Sequence, residues 1–137
     1  MTNQWDYHLF KGEDVMNNFI RTSGVDQINN IRRNLWESIY SNFSNMNSLT
    51  NHISNNFIDI DTVDFDFNEM SISIKSKDCP FEYDKAKSAI TNAYKGFIND
   101  MFIKGSLNDS NYNKCINMID NLFFITFNDH HNIKIHL

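Results

Sequence analysis

Histidine, cysteine and carboxylate side chains are where chemistry would reside, and this chain of 137 residues holds five histidines and two cysteines. His130 and His131 are adjacent, Asp129 precedes them and His136 follows five residues on. Zinc chemistry needs ligands whose spacing converges on one ion, such as two histidines a helical turn apart or paired cysteines. Adjacent side chains on an extended backbone point apart, and no HExxH or CxxC spacing occurs. The histidines therefore read as exposed loop residues, with no metal and no cofactor expected. Cys79 and Cys115 are remote in sequence. Cys115 falls on an apolar helical stripe and reads as core, while Cys79 sits beside Pro80 and is the candidate nucleophile of an enzyme reading with Asp129, His130 or His136. The glycines at 12, 24, 96 and 105 are isolated, so no phosphate-cradling loop is present. No catalytic motif emerges, and the expectation is a protein that is not an enzyme.

The carboxylates carry a sharper signal. Net charge is −5, which disfavours nucleic acid as the principal ligand and leaves basic proteins as natural partners. Residues 57–70 hold Asp59, Asp61, Asp64, Asp66 and Glu69 and no base, so this stretch alone accounts for the whole net charge. Like charges crowded on a strand repel, and aspartate is a poor strand former. One reading is a partner-binding face of these five acids, steering a basic protein into contact. The plainer reading is a solvated edge strand whose charges block aggregation and pair with Lys75 and Lys77. A calcium loop is disfavoured, since its glycine and terminal glutamate are missing.

The elements that position these residues follow from periodicity. Val15, Met16, Phe19 and Ile20 mark a short helix over Asp14–Ile20. Val25, Ile28, Ile31, Leu35, Ile39, Phe43 and Met46 keep three- and four-residue spacing, predicting one long amphipathic helix capped by Ser23 with Asp26, and extended by a turn at Leu49, Ile53 and Phe57. The period then becomes two. Ile58 and Ile60 alternate with aspartates, then Val63, Phe65 and Phe67 do so in shifted phase, which predicts a bulge near Thr62. A turn at Asn68-Glu69 leads into a strand in which Met70, Ile72 and Ile74 alternate with Ser71, Ser73 and Lys75. A helix over Glu82–Lys104 ending at Gly105 follows, then one capped by Asp109 or Ser110. Leu122–Phe127 and Asn132–His136 close the chain as a second hairpin with a loop at 128–131.

The order αα-ββ-αα-ββ predicts one α+β domain over 1–137, an antiparallel sheet of two β-hairpins packed against about four helices. A chain of this length buries a sufficient core without metal or disulfide. The longest apolar stretch, Leu122–Phe127, is far short of the roughly 20 residues a membrane span requires. The chain reads as cytoplasmic, without membrane contact. Trp5, Tyr7, Leu9 and Phe10 are either core cover or interface anchors, and Trp36 is either core margin or a partner contact. Twenty-two Asn and 17 Ile against 3 Ala point to A/T-rich coding DNA.

Small, acidic, A/T-rich and free of catalytic motifs, the chain resembles in overall character the immunity proteins of bacterial toxin systems, particularly those of contact-dependent growth inhibition. That resemblance implies tight binding to a cognate toxin domain, often a basic nuclease, with its active site or substrate access blocked. An alternative is a phage or viral inhibitor that uses an acidic face against a host nucleic-acid-processing protein.

Overall fold

In a computed structural model of the protein, residues 24–137 are described. The helix expected over Asp14–Ile20, the Ser23 cap and the aromatic residues Trp5, Tyr7, Leu9 and Phe10 lie outside the described residues. The described residues form an α+β fold: helices α1 (Gly24–Ser41) and α2 (Phe43–Asn56), strands β1 (Ile60–Asp66) and β2 (Ser71–Ser76), helices α3 (Tyr83–Ile103) and α4 (Asp109–Asn117), a 3₁₀ turn (Ile119–Asn121), and strands β3 (Phe124–Asp129) and β4 (Asn132–His136).

The single helix expected through Met46 is two helices. Asn42 leaves the helical region at φ −140°, ψ 110°, and its side-chain oxygen accepts from the Ser44 N–H at 2.9 Å. An asparagine that offers its own acceptor competes with the helix and restarts it as an N-cap. The buried Asn45 amide then donates to the Ser38 carbonyl and hydroxyl, both at 3.0 Å, fixing the corner between α1 and α2. Phe43, counted on the apolar stripe, is 74% exposed because the corner turns it outward.

The sheet is antiparallel throughout, in the order β1-β2-β4-β3, so the two hairpins meet at β2 and β4 and each leaves one edge. Pairing aligns Val63, Ile74, Ile133 and Phe127 in one row and Phe65, Ile72, Ile135 and Ile125 in the next. These rows form the inner face against the helices, and alternation puts Asp64, Ser73, Lys134 and Thr126 on the opposite face. The register shifts between Ile60 and Thr62, where the sequence predicts a bulge. In the second hairpin the strand begins two residues later than expected, and the turn narrows to His130-His131.

Helix α3 supplies the centre of the core through Ala86, Ile90, Ala93, Tyr94, Phe97, Ile98 and Met101, all buried. Its seam with α2 is polar on the outside: Ser48 and His52 both reach Asp100 Oδ2 at 2.8 Å. Gly96 leaves room for the His52 ring, since a Cβ there would lie 2.5 Å from His52 Nδ1. The helix ends as expected at Gly105, whose φ of +84° suits a residue without Cβ, and the Ser106 N–H returns to the Met101 carbonyl. The cap of α4 is Asn108 rather than Asp109 or Ser110, accepting from the Asn111 N–H at 2.8 Å.

Candidate partner-binding face

The five acids of residues 57–70 all lie along β1 and its two ends, but they do different things. Asp59 precedes the strand at φ +65°, a conformation that aspartate tolerates better than most residues. Its Oδ2 accepts from the backbone N–H groups of Asp78 and Cys79, and its carbonyl accepts from the Lys77 N–H at 3.0 Å. Those backbone hydrogen bonds, with the Lys77 charge behind them, hold its carboxyl below the usual range. Asp59 therefore ties the β2–α3 loop to the start of β1.

Asp66 sits at the other end. Its Oδ1 accepts from the Asn68 and Glu69 N–H groups at 3.0 Å, closing the turn through which Met70 passes at φ +55°. Glu69 pairs with Lys134 of β4 at 2.9 Å, and this contact raises the lysine pKa. The expected partners of the cluster, Lys75 and Lys77, form no ion pair with it among the described residues; Lys134 takes that place. Lys75 stands opposite Thr62 because the bulge shifts the register there.

Asp61 and Asp64 remain. Both are exposed, and neither carboxylate has a hydrogen-bond or ion-pair partner among the described residues. Asp61 lies at the bulge and Asp64 on the outer face of an edge strand. Asp64 faces the outer side of the sheet, and Asp61 lines the β1 edge beside Thr50 and Ser54 of α2; exposed along that edge, both repel a like strand and attract a cation.

Beside the Asp66 end lies an aromatic cluster joining α1 to β1. The Trp36 ring is 6.4 Å from Phe65 and 5.7 Å from Phe67, and Tyr40 meets Phe67 edge-on at 5.1 Å. Trp36 is buried, so it is core margin, whereas Tyr40 is 59% and Phe67 37% exposed. An aromatic pair that is half wet and half packed resembles an interface anchor. Sequence reasoning passed over both residues. Phe67 completes the inward alternation of β1 yet lies beyond its last residue, where the turn carries it out over Tyr40. The available signal was the four-residue spacing of Trp36 and Tyr40 on one helical face.

Cys79, Asp129, His130 and His131 gather at the opposite end of the sheet, whereas His136 pairs with Ser71 at the Asp66 end, so the structure does not bring His136 together with Cys79. The His130 carbonyl accepts from Phe81 N–H at 2.7 Å and the His131 carbonyl from Ser76 N–H at 2.9 Å, so the loop carrying the exposed Cys79 packs beside the second hairpin turn. His131 Nδ1 is 3.0 Å from Ser76 Oγ, and His136 Nε2 is 3.0 Å from Thr126 Oγ1. Asp129 accepts from the His131 N–H and the Asn132 amide; these bonds lower its pKa. Each of these three side chains is thus engaged in holding strands and turns. Among the described residues no group of three or more His, Cys, Asp or Glu could hold a metal ion. Cys115 is buried, and burial pushes its thiol up to about 12.

No helix among the described residues is long and apolar enough to cross a membrane. No family model, curated protein or solved structure matches the chain.

Proposed function

We propose that this chain is a cytoplasmic, non-enzymatic immunity protein that binds a cognate basic toxin domain, a nuclease by preference, and blocks its active site or the approach of its substrate. The observation that supports the reading is the free pair Asp61 and Asp64 on an edge strand, with Tyr40 and Phe67 exposed at the end of the same strand. Asp59, Asp66 and Glu69 fix the edge, and the two free acids give it an unbalanced charge. Such a charge raises the encounter rate with a basic surface, and the aromatic pair supplies apolar area once contact is made. Two free carboxylates at separate points of one edge suit a cluster of lysines and arginines better than they mimic a phosphate backbone.

Co-expression with the product of the neighbouring gene tests this directly. The protein is expected to restore growth to cells making that toxin, and to form a complex whose association slows as salt rises from about 0.01 M to about 0.15 M, over which the Debye length falls from about 30 Å to about 8 Å. Failure to protect, or association independent of both salt and the Asp61 and Asp64 charges, overturns the assignment.

A further inference from the structure

The two edges of the sheet are unlike. Among the described residues β1 and β3 each pair on one side only, β1 with β2 and β3 with β4. β1 guards its open side with Asp61, Asp64 and Asp66 and with the bulge before Thr62, devices that keep edge strands from pairing with one another. β3 has no such guard over most of its length. Phe124, Ile125, Thr126, Phe127 and Asn128 include no charge and no proline, and the first four are strong strand formers. Its register irregularity and its single acid, Asp129, come only at the turn.

The apolar side chains of β3 are also incompletely covered. Phe124 is 54% exposed, and Ile125 and Phe127 are only half-buried, whereas their neighbours Ile133 and Ile135 on β4 are fully buried. Tyr83 at the start of α3 is exposed, and its ring centre lies 5.9 Å from that of Phe127, which widens the apolar strip. The inner face of the sheet thus runs out at β3 with apolar groups still partly in water.

We propose that β3 is a dimerisation edge, pairing antiparallel with β3 of a second copy of this chain about a twofold axis at Thr126. The strand is self-complementary in that register. Thr126 faces Thr126, a favourable cross-strand pair, while Ile125 faces Phe127 on the inner side of the sheet and Phe124 faces Asn128 on the outer side. The inner row of Val63, Ile74, Ile133 and Phe127 then runs on into Ile125, Ile135, Ile72 and Phe65 of the second copy, so the half-buried residues at the edge gain apolar neighbours. The two Asp129 carboxylates fall at opposite ends of the shared ladder, about 20 Å apart. The same operation on β1 would instead bring Asp61, Asp64 and Asp66 of both copies into one ladder, where they repel. The dimer leaves the free acids of β1 open at the far edge and stands whether or not the docking reading holds.

The test is sedimentation velocity of the full chain from about 1 to about 200 μM, with hydrogen exchange of the β3 amides at both ends of that range. An equilibrium between monomer and dimer is expected, with a dissociation constant of about 1–100 μM for so short a ladder, and protection of the β3 amides that β4 does not hold should rise with concentration. Position 126 faces itself across the axis, so Thr126→Lys and Thr126→Glu should each weaken the dimer about tenfold or more by like-charge contact, and an equimolar mixture of the two should restore it. Thr126 is exposed, so both variants should keep a cooperative unfolding transition. Several results overturn the proposal: a chain still monomeric at the highest concentration, a dimer indifferent to both variants, no restoration on mixing, or open head-to-tail assemblies larger than a dimer. Outward β3 amides already protected in the monomer overturn it as well, since another part of the chain would then cover the edge.

Discussion

The two hairpins share one plan and differ in what their acids do. Each contributes one central and one edge strand, and each turn is closed by an aspartate that precedes it, Asp66 in the first and Asp129 in the second. In the second hairpin, Asp129 is the sole acid of its edge strand and it is engaged in the turn. The first hairpin carries Asp61 and Asp64 in addition, exposed and unpartnered among the described residues. A charge count along the sequence merges these two populations. The geometry separates carboxylates that hold backbone from carboxylates that face solvent, and only the second kind is surplus to the fold.

The likeness of the hairpins is tested most severely in the core. Ile72 and Ile135 are cross-strand partners on the central strands, each 1% exposed. Replacing either with Ala is expected to cost about 2–5 kcal/mol in denaturant unfolding, from lost burial plus the cavity left behind. Because they touch across the ladder, the double variant should depart from additivity. Costs differing by more than about 2 kcal/mol between the two sites would break the equivalence of the hairpins.

A smaller effect separates the holding acids from the rest. Asp59 and Asp129 both have pKa values lowered by hydrogen bonds, first from backbone N–H groups. A carboxylate whose folded pKa is depressed stabilises the fold above its unfolded value, near 4, and that contribution disappears as pH falls through the lower folded value. Acid titration of stability should therefore show a loss that begins below about pH 5, reduced in Asp59→Asn and again in Asp129→Asn. Asparagine keeps an acceptor for the N–H groups and tolerates the positive φ at position 59, so Asp59→Ala should be the less stable of the two replacements at neutral pH. Equal stability of Asp59→Ala and Asp59→Asn would show that Asp59 does not tie the loop.

The alternating strands, the bulge near Thr62 and the Gly105 terminus were legible because each depends on local periodicity or on one residue's backbone freedom. The break at Asn42 was not, since the apolar spacing runs straight through it and one asparagine among 22 carries no distinguishing mark. The roles of the acids were hidden for another reason. Asp59 meets the Asp78 and Cys79 amides and Glu69 meets Lys134, partners far away in sequence that only the tertiary fold brings near. The exposure of Tyr40 and Phe67 likewise depends on where the β1–β2 turn carries the chain.

The smallest stability effect bears most directly on function. Asp61→Lys combined with Asp64→Lys alters two exposed side chains that hold nothing, so each change should move unfolding free energy by no more than about 0.5 kcal/mol. The bulge keeps its backbone register, and the Asp59 and Asp66 caps are untouched. If a basic partner is steered by this edge, the same double variant should lower the association rate about tenfold or more at low salt while changing dissociation far less, because rim charges act mainly on encounter. Replacing Phe67 with Ala should do the reverse, speeding dissociation with little effect on association, since a packed anchor acts after contact. Should the charge reversal instead destabilise the fold as strongly as Asp59→Ala, Asp61 and Asp64 would belong with the holding acids, and the difference between the two hairpins would be one of degree.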